Sequence, residues 1–184
     1  MTQRAADLLV DCLAAHGTDR IFCVPGESYL PVLDALHGRD DIQTVTCRHE
    51  GGAAFMALAD AKLTHRPGIA FVSRGPGATN AAIGVHSAEQ DAAPLILFVG
   101  QVPLEQIGRG AFQEVDYGKT FADMAKAVLS VDDPERIPEL VARAFAVALQ
   151  PTPGPVVVVL PEDVLERATT ARPLPPAPPA RADD

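Results

Sequence analysis

The sequence predicts an α/β fold, a three-layer sandwich built on a six-stranded, mostly parallel sheet. Short apolar runs alternate with stretches of helical periodicity along the 184 residues, the order that right-handed parallel crossovers generate. Most of those runs are apolar throughout, as in Ile21-Phe22-Cys23-Val24 and Val156-Val157-Val158-Val159-Leu160, which implies a sheet covered by helices on both faces. A chain of this length buries roughly 70% of its unfolded surface in one domain, and a second catalytic domain does not fit.

The elements follow in order. Ala5, Leu8, Leu9, Cys12 and Leu13 recur at helical spacing after Thr2, which is placed as an N-cap, and Gly17 supplies the stop. Residues 21–24 form the first strand, ended by Pro25-Gly26, and Ser28 is placed to cap a helix through Leu30, Val32, Leu33 and Leu36. The unit repeats as strand 43–47 with helix 50–63, strand 68–72 with helix 78–89, and strand 95–99 after Pro94. Strand 43–47 alternates in polarity, which suits a strand with one polar face. Residues 100–113 lack periodicity, hold Gly100, Gly108 and Gly110, and read as a loop of functional length. A helix over 115–124, a strand over 127–131, a helix opened by Pro134 and reaching 149, and a sixth strand over 156–160 complete the fold. Beyond Glu166 the run Arg172-Pro173-Leu174-Pro175-Pro176-Ala177-Pro178-Pro179-Ala180 cannot build a core and favours extended polyproline geometry. The sequence therefore divides into a domain over 1–168 and a proline-rich linker or tail over 169–184. Because a linker normally leads somewhere, a further domain outside this sequence is expected.

With 15 Lys and Arg against 24 Asp and Glu the net charge is -9, the wrong sign for a nucleic-acid partner. The longest apolar stretches, 95–99 and 156–160, fall far short of the ~20 residues of a membrane span. Asp7 sits where a secretory signal would carry its apolar core, so the expected setting is cytoplasmic. Cys12, Cys23 and Cys47 lack metal-ligand spacing and read as buried thiols; no metal site is expected.

Glu50 opens the segment Arg48-His49-Glu50-Gly51-Gly52 at the junction of a strand and a helix, and Ser73-Arg74-Gly75-Pro76-Gly77-Ala78-Thr79-Asn80 makes a glycine-rich turn at the next such junction. Ligands of open parallel sheets bind beside the carboxyl ends of strands, so an acid on one turn and bare backbone on the next suggest a planar heterocycle between them. Simpler roles stand beside this one. Glu50 also suits a helix N-terminal acid worth ~0.3 to 1 kcal/mol, and Gly75-Pro76-Gly77 a plain tight turn. His49 and His86 read as capping or solvated histidines, and Arg109 and Lys119 as surface charges rather than anchors for a substrate carboxylate. Glu27 is either a surface turn acid or a group at the mouth of the site.

Five motifs occur in one order: Val24-Pro25-Gly26-Glu27, Arg48-His49-Glu50, Gly75-Pro76-Gly77-Ala78-Thr79-Asn80, Gly100-Gln101-Val102-Pro103 and Ala111-Phe112-Gln113-Glu114. Together they resemble the N-terminal pyrimidine-binding domain of thiamine diphosphate enzymes, acetolactate synthase-like in their order, over nearly everything from Thr2 to Glu166. The resemblance implies decarboxylation and carboligation of 2-keto acids, as in branched-chain amino acid biosynthesis. It places the catalytic glutamate on Glu50 and cofactor contacts on Pro25, Gly26, Ser73, Gly75, Pro76 and Asn80, with Phe112 and Gln113 on the substrate side. In that family the thiazolium carbon loses its proton to the cofactor's own amino group once the aminopyrimidine reaches its imino tautomer. A partly desolvated carboxylate on the ring nitrogen promotes that shift. Glu50 then needs an apolar wall, for which Phe55, Met56 and an opposing subunit are the candidates.

The family holds its diphosphate through Mg2+ and a Gly-Asp-Gly segment followed by asparagine, and no Gly-Asp-Gly occurs here. Mg2+ and FAD are therefore expected on missing or partner domains. The chain is expected to supply half of a site to a diphosphate-binding domain or chain, within a homo- or hetero-oligomer such as a homodimer, and to be inactive alone. Two other readings remain open. One is a non-catalytic dimerising interaction module. The other is a dinucleotide-binding domain, against which the first strand leads into Pro25-Gly26-Glu27-Ser28 instead of Gly-x-Gly-x-x-Gly.

Overall fold

Residues 2–176 are described by a computed structural model. The proline-rich run from Ala177 onward lies outside the described residues. The elements are β1 (Gln3–Arg4), α1 (Ala5–Ala15), β2 (Arg20–Cys23), α2 (Leu30–Leu36), β3 (Gln43–Thr46), α3 (Glu50–Thr64), β4 (Gly68–Val72), α4 (Pro76–Gln90), β5 (Leu95–Gln101), α5 (Tyr117–Thr120), β6 (Ala127–Ser130), α6 (Ile137–Ala148), β7 (Pro155–Pro161), α7 (Glu162–Leu165) and β8 (Ala168–Thr169).

Six strands form one sheet in the order β3-β2-β4-β5-β7-β6, and every neighbouring pair is parallel. The alternation of side chains along a strand sorts each one between two cores. Ile69 and Phe71 of β4 join Ile96 and Phe98 of β5 beneath α1, α2 and α6. Ala70 and Val72 face the other way, with Leu97 and Val99, beneath α3 and α4. Within the first core Phe71 stacks on Phe98 with ring centroids 4.6 Å apart. The expected three-layer sandwich is therefore observed. β3 lies at an edge and is largely exposed, in keeping with its alternating polarity. On the α3 side the packing is close: a Cβ placed on Gly68 would stand 1.9 Å from the Ala57 carbonyl oxygen.

Several local expectations are corrected. Thr2 does not cap α1. Arg4 occupies the N-cap without a side-chain bond, because Gln3–Arg4 are drawn into an antiparallel pair with Ala168–Thr169. Ser28 does not cap α2 either: it lies within a 3₁₀ turn, Glu27–Tyr29, and its hydroxyl is used elsewhere. α4 starts at Pro76, two residues early, and α6 is preceded by a 3₁₀ turn, Pro134–Arg136. The helix expected over 115–124 shrinks to the single turn of α5, capped by Asp116, whose carboxylate accepts from Lys119 N at 3.1 Å. No helix among the described residues is long and apolar enough to cross a membrane.

Candidate functional site

The turns that leave β2, β3 and β4 lie at one edge of the sheet, since parallel neighbours end on the same side. Two of them are stitched together. A Cβ on Gly26 would stand 2.6 Å from Ser73 Cβ, so only a glycine lets the β2 turn rest on the β4 turn. Ser28, fully buried, pairs its hydroxyl with Ser73 Oγ at 2.8 Å and accepts from Arg74 N at 3.1 Å. Arg74 is itself buried and donates to Glu27 at 3.0 Å and to Glu162 at 2.8 Å. The Glu27 side chain is 74% exposed, so this acid stands in solvent beside the crevice.

Gly75 takes the left-handed φ of +57°, which favours glycine, and donates its N–H to Tyr117 Oη at 2.9 Å. Burial pushes the Tyr117 phenol above its ordinary value of 10.0, so it accepts as a neutral hydroxyl. A Cβ on Gly75 would meet Gln113 Cβ and carbonyl oxygen at 2.9 Å. The loop between β5 and α5 thus lies directly on the β4 turn.

Glu50 is the first residue of α3 and is half-buried. Asn80 Nδ2, one turn into α4, donates to Glu50 Oε2 at 3.0 Å. The other oxygen, Oε1, lies 3.5 Å from where a Cβ on Gly77 would stand. A carboxylate held by one oxygen and open over bare backbone at the other can receive a flat polar edge. These contacts link Gly26 to Ser73, Gly75 to Gln113 and Glu50 to Asn80, and Gly77 lies between Ser73 and Glu50, with Pro25 and Pro76 exposed on the turns after β2 and β4. Phe112 is 76% exposed beside Gln113. Phe55 and Met56 are 41% and 44% exposed. Lys119 pairs with Asp116 at 2.9 Å, and Arg109 and His86 are exposed. Among the described residues no group of three or more His, Cys, Asp and Glu can hold a metal ion. Cys12 and Cys23 are buried and Cys47 half-buried; burial pushes the Cys12 thiol up to about 12.

Sequence reasoning missed Arg74 and Tyr117 and misassigned Ser28. Their partners lie far along the chain and leave no local pattern. The loop carrying Phe112 and Gln113 has its own lock, because Glu114 accepts from Gly108 N and Ala111 N. Those bonds hold its carboxyl below the ordinary value of 4.5, the Gly108 N–H contributing most. A depressed carboxyl stabilises the fold above its unfolded value and loses that contribution as pH falls through its folded one. Protection of the Gly108 and Ala111 amides, relative to their intrinsic exchange, is therefore expected to fall below pH 4.5, and to be lower in Glu114→Gln at all pH. Protection that persists in that variant would show the loop is held by other means.

Residues 3–120 match the family described as thiamine pyrophosphate enzyme, N-terminal TPP binding domain. The chain belongs to this family. It is 39% identical over 166 residues to the acetolactate synthase large subunit of Parasynechococcus marenigrum, covering 89% of this chain and 27% of that protein. It is 40% identical over 163 residues to the acetolactate synthase isozyme 3 large subunit of Escherichia coli, covering 89% and 28%. With the chloroplastic acetolactate synthase of Arabidopsis thaliana it shares 36% identity over 165 residues, covering 90% and 25%. The chain thus spans about a quarter of the length of the curated relatives it matches. Membership of the thiamine pyrophosphate enzyme family removes the dinucleotide-binding alternative.

Proposed function

We propose that this chain is the pyrimidine-binding half of a thiamine diphosphate-dependent enzyme that decarboxylates and joins 2-keto acids in the manner of acetolactate synthase. The observation that carries this reading is the Glu50 carboxylate, tied to Asn80 by one oxygen and facing Gly77 with the other. Gly77 carries no side chain beside that oxygen, which leaves bare backbone for a flat ring to approach. When bound, thiamine diphosphate supplies a carbon acid whose conjugate base attacks the keto carbon.

The chain's own residues prepare that chemistry. Glu50 would hold the ring nitrogen and its proton through the oxygen that Asn80 leaves free, while Asn80 fixes the direction of the carboxylate. Pro25, Gly26, Ser73, Gly75 and Pro76, on the turns after β2 and β4, would hold the ring through backbone contacts. Gln113, packed on Gly75, and Phe112 face the substrate side. Phe55 and Met56, exposed on α3, would supply the apolar wall once another protomer covers them, and lower polarity at the site would strengthen the bond to the ring. The domain is placed over residues 1–168 with a linker after it, and Thr169, buried and paired with Gln3, packs with the domain. Mg2+ and FAD belong to partner domains, and the assembly is a homo- or hetero-oligomer in the cytoplasm serving branched-chain amino acid synthesis.

The test is reconstitution. Mixing the chain with a diphosphate-binding domain or chain, thiamine diphosphate and Mg2+ is expected to restore decarboxylation of a 2-keto acid such as pyruvate, with neither component active alone. Stable self-association without cofactor binding in any mixture would favour a dimerising scaffold. In the same assay Gly26→Ala is expected to weaken cofactor binding about tenfold or more, because its Cβ, 2.6 Å from that of Ser73, parts the two turns by about 1 Å. Unchanged affinity would remove Gly26 from the cradle.

A further inference from the structure

We propose that His49 is a positioning residue for Glu50, resting on the reading of Glu50 given above. His49 occupies the N-cap of α3 in extended conformation, φ -153° and ψ 136°, and its Nδ1 accepts from Gly51 N at 3.0 Å. The first turn of a helix has backbone donors without intrahelical partners, and an N-cap acceptor satisfies one of them. Here that turn begins with Glu50. Nδ1 can accept this N–H only when the ring carries its proton on Nε2 alone, so the bond assigns the tautomer.

The contact is as close as the chain allows. A Cβ on Gly51 would stand 3.1 Å from His49 Nδ1 and 3.2 Å from its Cε1, and also 3.2 Å from the Asn80 carbonyl oxygen. One glycine therefore admits the imidazole on one side and the first turns of α4 on the other. The side chain of the same Asn80 holds Glu50 Oε2 at 3.0 Å. Glu50 is fixed twice, its backbone by the imidazole cap and its carboxylate by Asn80. The two residues that follow it, Gly51 and Gly52, add no helical preference of their own. Without the cap the turn frays and the carboxylate leaves its position over Gly77. His49 itself is exposed and its Nδ1 is engaged by Gly51 N, so it acts through Glu50.

Two measurements test this. In the chain assembled with its diphosphate-binding partner, His49→Ala is expected to lower kcat about tenfold or more with little change in KM. His49→Ser restores most of the loss, since a hydroxyl accepts the same N–H. If His49 works through Glu50, the alanine change costs nothing further in a Glu50→Gln background. In the full chain alone, two-bond ¹H–¹⁵N spectra are expected to show the Nε2–H tautomer, and Gly51 amide exchange to accelerate about tenfold in His49→Ala but not in His49→Ser. Equal losses for Ala and Ser, an undiminished alanine effect in the Glu50→Gln background, or unaltered Gly51 exchange would each overturn the assignment. Should Glu50→Gln itself turn over normally, the catalytic reading of Glu50 fails, while Gly51 exchange still decides whether the cap exists.

Discussion

Glu50→Gln, in the chain assembled with a diphosphate-binding partner, is expected to lower thiamine diphosphate-dependent turnover of a 2-keto acid by about 10²- to 10⁴-fold. Glutamine keeps the side-chain length and an oxygen for Asn80 Nδ2, which donates at 3.0 Å in the native chain. The start of α3 is thus preserved while the charge that would hold a proton on the ring nitrogen is removed. The loss should fall on kcat, with thermal stability close to that of the unaltered protein. A rate equal to the native one would sink the assignment of Glu50. A parallel fall in melting temperature would instead point to damage at the head of the helix.

The second large effect concerns the fold that carries this carboxylate. Gly68→Ala is expected to destabilise the chain by about 3 kcal/mol or more and to lower its melting temperature by about 6 to 12 °C. The added Cβ would stand 1.9 Å from the Ala57 carbonyl oxygen and 2.6 Å from the carbonyl carbon. Both atoms are backbone, so no side-chain rotation relieves the clash and α3 must lift from the sheet. Gly68 is also tied in place, with its N–H on the Pro94 carbonyl at 3.0 Å and its register opposite Leu95. Thermal unfolding followed by circular dichroism reads the change. An unaltered melting temperature would show that α3 retreats without cost. Because α3 begins at Glu50, the same variant should also lose activity.

The six strands of the sheet were legible in the sequence for physical reasons, and so was the place of Glu50 at a strand-to-helix junction. Buried parallel strands need apolar side chains on both faces, so β4, β5 and β7 announce themselves as unbroken runs, and β3, at an exposed edge, alternates. Glycines where one turn presses on another also leave a visible mark. What the sequence hid was long-range. Ser28 looked like a helix cap, yet its hydroxyl serves Arg74 N, 46 residues away. Tyr117 holds Gly75 from 42 residues away, and Glu162 holds Arg74 from 88. Tyr117, Phe121 and Met124 have helical spacing because they pack on the core beneath α3 and α4, but spacing reports burial rather than backbone hydrogen bonding, and only one turn of helix forms. The two-residue strands β1 and β8 are too short for any periodicity to reveal.

That short pair bears on how the molecule assembles as it leaves the ribosome. Gln3 is matched with Thr169, and Ala5 N donates to the Arg167 carbonyl at 2.8 Å, so the opening segment waits for its mate until nearly all of the domain has been made. Contacts that span such a distance close late and slow the search for the native arrangement. At ~5 to 20 residues per second the wait is of order ten seconds or more, during which the apolar side of the first helix is a natural client for chaperones.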